Sequence, residues 1–72
     1  MSAWPSMRAR RVFKALQKIG WVAISQSGSH IKLHHRDSKF PDYIWAFHDG
    51  EEIGPRMLAR IAKHTGLSPG DL

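Results

Sequence analysis

The chain has 72 residues, which is near the lower limit at which one domain can bury a core without a disulfide or a metal. It contains no cysteine, so a disulfide framework and a thiolate zinc site are excluded; it also lacks the long apolar run of a membrane span and the pattern of a signal peptide. The formal net charge is +5, with eight Lys or Arg against one acid in residues 1–39 and three against five in residues 40–72. We therefore expect one cytoplasmic domain whose first half builds a basic surface suited to nucleic acid.

The first predicted element is a helix that follows a loose leader over residues 1–6. Apolar residues at positions 12, 13, 16 and 19 form one helical stripe, and Arg10, Arg11 and Lys14 lie on the opposite side. Ser6 is a suitable N-cap and Gly20 a suitable stop. The pattern predicts about three turns of helix, and residues 7–72 are expected to form a single domain.

A β-hairpin is predicted next. Residues 21–26 are rich in β-branched and aromatic side chains, and residues 29–35 alternate between apolar and polar. Gly28, with Ser27 or Ser29 beside it, supplies the tight turn. On the second strand, Ile31 and Leu33 face one side, and the alternation places the basic side chains on the other.

The last predicted elements are a third strand and a second helix. Residues 43–47 are apolar and aromatic, and residues 48–52 form a polar loop. Pro55 occupies the favoured first position of the second helix, and Gly66 ends it. The order α-β-β-β-α predicts an α+β fold: a three-stranded antiparallel sheet with both helices on one face and the other face open.

The predicted functional site is the hairpin tip, with His30 as its key side chain. His30 follows the turn on the open face, and Lys32 lies about 7 Å further along the strand on the same face. Histidine ordinarily titrates at about pH 6.5, so it can exchange protons with RNA at neutral pH. RNA carries its own nucleophile, the 2′-hydroxyl, and Lys32 could stabilise charge on the phosphate. This pair therefore predicts phosphodiester cleavage that needs no metal.

Further residues are predicted to assist by binding RNA. The backbone at Gly28 can approach a phosphate closely, and the outward side chains of the first helix can position the RNA backbone. His48 could assist catalysis, but a purely structural role in its loop is favoured. The predicted nucleic-acid-binding set is Ser27, Gly28, Ser29, Lys32, His34, Arg10, Arg11 and Lys14.

A metal site is the competing explanation for the five histidines. His30 and His34 lie about 13 Å apart along an extended strand, so they cannot share one ion. Two histidines, even if His48 joined one of them, do not complete a zinc site. We expect no metal and no other cofactor.

The sequence resembles the HicA (YcfA-like) toxins of toxin–antitoxin pairs. The resemblance runs from about Met7 to Leu72 and rests on three features in order: a Gly-Ser-His hairpin at residues 28–30, a strand that ends in His48-Asp49-Gly50, and a helix that ends in Gly66-Leu67-Ser68. Together these motifs are fairly specific, although each alone is weak.

The resemblance implies a fold like that of double-stranded-RNA-binding domains and an mRNA interferase activity. His30 occupies the position of the family's catalytic histidine. The implied partners are mRNA and a HicB-type antitoxin protein that would cover the His30 face.

Two alternatives use the same residues. A domain of this fold could bind RNA without cleaving it, since no second catalytic residue is evident. It could also be a protein-interaction domain whose open sheet face receives a partner.

Overall fold

The computed structural model describes residues 4–72 of the chain. In this part of the chain, two helices and two small sheets follow one another in the order β-α-β-β-β-β-α, and a 3-10 turn follows. The bounds are β1 Met7–Arg8, α1 Ala9–Lys18, β2 Trp21–Ser27, β3 His30–His35, β4 Tyr43–Trp45, β5 Glu52–Ile53, α2 Pro55–Thr65 and the 3-10 turn Pro69–Asp71. The strands β2, β3 and β4 form the predicted antiparallel meander, so the α+β fold is confirmed.

Both helices cover the same face of this sheet. The core combines the apolar stripes of α1 and α2 with the inward side chains of the three strands, and β5 and the residue after Gly66 complete it. Its buried members are Ala9, Val12, Ala15, Leu16, Trp21, Leu33, Trp45, Ile53, Leu58, Ile61 and Leu67. Trp21 and Trp45 are therefore core residues, and Phe47 is partly buried against the core.

The start of α1 differs from the prediction. The helix begins at Ala9 rather than near Ser6, because Met7 and Arg8 are extended and pair with Ile53 and Glu52 of β5. A two-residue strand has no detectable periodicity, and its partner lies far away in the chain. Residues 1–3 of the predicted leader lie outside the described residues, and Trp4 packs against the core.

The strand β2 contains a β-bulge that the alternation pattern did not reveal. Ala23 lies opposite Leu33, but Ser25 rather than Ile24 lies opposite Lys32. Because of the extra residue, the side chains that follow it on β2 point to the opposite face of the sheet from the one that strict alternation would give. Because residues directly opposite each other share a face, Ser25 joins the open face with Lys32.

The second helix is close to its predicted extent. Leu58, Ile61 and Thr65 are buried, whereas Met57 is 37% exposed. Gly66 ends the helix with φ +76°, a conformation that glycine adopts without strain.

His35, at the end of β3, is a structural residue. It is 4% exposed, and its ring contacts Trp21 and Phe40 edge-on, with centroids 5.3 Å apart in both cases. Its Nδ1 accepts a hydrogen bond from the Asp37 amide (3.2 Å), and its Nε2 lies 3.0 Å from the Ile19 carbonyl oxygen. Because Nδ1 is an acceptor and a carbonyl can only accept, the proton is on Nε2.

Candidate functional site

The predicted functional site is at the tip of a hairpin with a two-residue turn. Ser27 pairs with His30, so Gly28 and Ser29 form the turn, and Gly28 has φ +60°. The Gln26 side-chain amide donates a hydrogen bond to the Gly28 carbonyl (3.0 Å) and braces the turn. A side chain added at Gly28 would meet no atom within 4 Å, so the backbone at the tip is open to a large ligand.

His30 and Lys32 lie side by side on the open face of the sheet. Both are exposed, whereas Leu33 and His35 on the alternate positions are buried. Within residues 4–72, neither side chain makes a hydrogen bond, an ion pair or a ring contact. The structure thus presents an imidazole and an ammonium group that are free to meet a ligand.

His34 lies further along the same face and has a partner. Its Nδ1 is 2.7 Å from Oδ1 of Asp42, and the two side chains are 41% and 34% exposed. The sequence did not reveal this pair, because the irregular segment between β3 and β4 determines where Asp42 lies.

The open face is also partly apolar. Val22 lies opposite His34, and Ile44 lies opposite Lys32. These two side chains and the bulged Ile24 are 48%, 49% and 53% exposed, respectively. Basic and apolar side chains therefore alternate on a surface that no described residue covers.

His48 lies in the loop that begins α1. The carbonyl oxygen of Asp49 accepts a hydrogen bond from the Arg10 amide (3.2 Å), and that of Glu51 accepts one from the Ala9 amide (2.8 Å). These are the first two amides of α1. The loop thus satisfies amides that a helix start leaves unpaired. Since β4 runs towards the hairpin and leads into this loop, His48 lies at the hairpin end of the sheet. Within residues 4–72, however, its side chain makes no hydrogen bond or ring contact with a catalytic candidate.

The basic residues of α1 form a second group near the same end. Arg10, Arg11 and Lys14, with Arg8, line a depression of about 340 Å³. The Arg8 guanidinium donates to the Gly50 carbonyl (2.8 Å), which anchors one side of the depression. The buried stripe of α1 faces the sheet, so this basic side points away from it. The structure therefore brings these residues together, but on a different surface from His30 and Lys32.

Another depression, of about 790 Å³, lies at the start of α2. It is lined by Gly54, Pro55, Arg56, Met57 and Arg60. Its walls are apolar apart from the two arginines.

Metal-binding and membrane-spanning features are both absent from the described residues. Between residues 4 and 72, no three His, Asp or Glu side chains are grouped so that they could share an ion. In the same range, neither helix has the length and apolar character that a bilayer crossing requires.

Comparison with known proteins places the chain in a family. Searches of curated proteins and of solved structures each found no match. The family model described as the HicA toxin of bacterial toxin-antitoxin matches residues 9–67, from the first residue of α1 to the residue after Gly66. This range contains the hairpin, both helices and the His48 loop. The chain belongs to the HicA toxin family of toxin–antitoxin systems.

Proposed function

We propose that this toxin is an endoribonuclease that cleaves mRNA in the cytoplasm without a metal, with His30 as general acid/base and Lys32 stabilising charge on the phosphate. One observation carries the proposal. The side chains of His30 and Lys32 have no bonding partner within residues 4–72 and lie near each other on the open face, next to a turn whose backbone is unobstructed. Membership of the HicA family supports it, since the resemblance implies an mRNA interferase.

The chemistry needs little from the protein. A base removes the proton of the RNA 2′-hydroxyl, the oxygen attacks the adjacent phosphorus, and the bond to the 5′-oxygen breaks as that oxygen takes up a proton. The products are a 2′,3′-cyclic phosphate and a 5′-hydroxyl. The charge that builds on the phosphate oxygens is what a nearby ammonium group such as Lys32 stabilises.

The RNA backbone would be held from two sides. At the tip, the amides and hydroxyls of Ser27, Gly28 and Ser29 supply donors, and His34 continues the row. The α1 depression supplies guanidinium and ammonium groups at the N-terminus of a helix, where the helix dipole disfavours cations. Placing positive charge there has an electrostatic cost, which an RNA phosphate would offset.

A HicB-type antitoxin is the proposed protein partner, and it would neutralise the toxin by covering the His30 face. The exposed Val22, Ile24 and Ile44 support this proposal, because apolar side chains on an open sheet face favour burial by a protein. The same surface would thus bind RNA in the free toxin and the antitoxin in the complex.

The test is a cleavage assay with a labelled RNA in excess EDTA. The wild-type protein should cut the RNA and leave intact a DNA of the same sequence, which has no 2′-hydroxyl. His30→Ala should lower the rate about 10²- to 10⁴-fold, and Lys32→Ala about 10²-fold. Matched controls are His64→Ala and Lys18→Ala, which change the same residue types outside the open face.

Two results would contradict the proposal: no cleavage by the wild-type protein, or full cleavage by His30→Ala. Tight RNA binding that falls steeply with salt, without cleavage, would favour the non-catalytic RNA-binding module instead.

A further inference from the structure

The pair formed by His34 and Asp42 has the arrangement of an oriented base. A carboxylate can only accept a hydrogen bond, so the 2.7 Å contact places a hydrogen on Nδ1 of His34. The neutral ring then has its lone pair on Nε2. Within residues 4–72, no hydrogen bond engages that nitrogen, and the side chain is 41% exposed. Asp42 therefore fixes the tautomer in which His34 can accept a proton from a ligand.

The position of this base on the sheet matches that of His30. Both are on the open face of β3, and Lys32 lies midway between them. A phosphate bound at Lys32 would have one imidazole on each side along the strand.

The spacing suits an in-line displacement. The two Cα atoms are about 13 Å apart on an extended strand. Two hydrogen bonds and the oxygen–phosphorus–oxygen axis between them need roughly 10 Å from one ring nitrogen to the other. Each ring therefore needs to lean only slightly towards Lys32 to reach the oxygen on its own side.

We propose that His34, positioned by Asp42, is the general base of the cleavage and that His30 is the general acid, an assignment that rests on the proposed ribonuclease function. His34 Nε2 takes the proton of the 2′-hydroxyl, and the oxygen–phosphorus bond of the cyclic phosphate forms. The bond from phosphorus to the 5′-oxygen breaks, and the proton on His30 passes to that oxygen. The RNA gives one proton to His34 and receives one from His30, so no further reactant is needed. Proton exchange with solvent then restores both histidines.

This assignment favours His34 over His48 as the second catalytic histidine. His48 lies in an irregular loop whose backbone is used to begin α1, and no acceptor among residues 4–72 orients its ring. His34 lies on a regular strand with its tautomer fixed by a carboxylate. Asp42 is a positioning residue, because it acts through His34.

The experiment measures single-turnover cleavage of RNA against pH for the wild type, His34→Gln and Asp42→Asn. The wild-type rate should follow a bell-shaped curve, with a low-pH limb from the base and a high-pH limb from the acid. His34→Gln should lower the rate at neutral pH about 10²- to 10⁴-fold and remove the low-pH limb. Asp42→Asn should lower it by at least about tenfold, because the introduced amide can donate to Nδ1 and move the ring hydrogen to Nε2.

Controls separate catalysis from binding and folding. Binding of a 2′-deoxy analogue, which cannot be cleaved, should weaken by no more than about tenfold in either variant, the loss expected for one hydrogen bond to the RNA backbone and far less than the loss of cleavage rate in His34→Gln. His64→Gln should keep the wild-type rate and curve. Thermal unfolding should show that both variants remain folded, as expected for a pair at the surface.

The outcomes distinguish the two proposals. If the wild type does not cleave RNA, the proposed function fails. If the wild type cleaves and His34→Gln keeps its rate and both limbs, the ribonuclease function stands and the assignment of His34 is overturned. If His48→Gln removes the low-pH limb while His34→Gln does not, His48 is the base.

Discussion

Replacing His35 by alanine should strongly destabilise the protein. The substitution removes the acceptor of the Asp37 amide and the donor to the Ile19 carbonyl, at about 1 kcal/mol each. It also removes two edge-on ring contacts, with Trp21 and Phe40, that contribute about 0.5–1.5 kcal/mol each. The cavity left behind adds to the loss. We expect the free energy of unfolding to fall by at least about 3 kcal/mol, a large fraction of the roughly 4–10 kcal/mol typical of a domain this small.

The neighbouring histidine provides the matched control. His34→Ala removes only a surface pair with Asp42, so its free energy of unfolding should fall by no more than about 1 kcal/mol. Urea unfolding followed by tryptophan fluorescence measures both variants. With a slope of about 1 kcal/mol per molar urea, the midpoint for His35→Ala should drop by at least about 3 M. His35→Leu, which keeps much of the volume, should recover part of the loss.

Equal midpoints for the two alanine variants would refute the reasoning, because they would mean that the ring of His35 contributes no more than an exposed side chain. A His35→Leu variant as unstable as His35→Ala would instead assign the whole effect to the two hydrogen bonds and the two ring contacts, and none of it to the lost volume.

Three further predictions concern other parts of the molecule. Gly66→Ala should lower the free energy of unfolding by about 1–2 kcal/mol, because the residue has φ +76° and an added Cβ would lie 2.8 Å from Phe40 Cζ; a neutral effect in urea unfolding would contradict this. Burial raises the pKa of Tyr43 above its usual value of 10.0, so the unfolded chain loses this proton first and stability should fall as the pH rises above about 10. Tyr43→Phe should make that fall shallower, and an unchanged pH slope would refute the assignment. The double variant Arg10→Ala/Lys14→Ala should weaken RNA binding and reduce the dependence of log Kd on log salt by about 2 units; an unchanged slope in a binding titration would show that the α1 depression does not contact phosphates.

Most of the fold could be predicted from local patterns. The alternation over residues 29–35 and the helical stripes depend only on which side chains must be buried. Leu33, Leu58 and Ile61, at apolar positions of these patterns, are indeed fully buried. The same alternation, continued by one step, also indicates that His35 is buried with Leu33.

The remaining features depend on contacts that local patterns do not encode. The pairing of Met7 with Ile53 joins segments far apart in the chain, and two residues are too few to show periodicity. The bulge near Ile24 depends on backbone hydrogen bonding to β3 rather than on side-chain type. The contact between His34 and Asp42 depends on the path of residues 36–41, so the candidate base emerged only from the structure.

The β-bulge has a consequence for self-association. A sheet with three strands has two free edges, and each could pair with a strand of another chain. The bulge near Ile24 interrupts the regular spacing of amides and carbonyls on one edge, and β4, with three residues, makes the other edge short. Neither edge is a good template for adding a strand. The irregularity that aligns Ser25 with Lys32 should therefore also protect a chain with exposed Val22 and Ile44 from aggregating edge to edge.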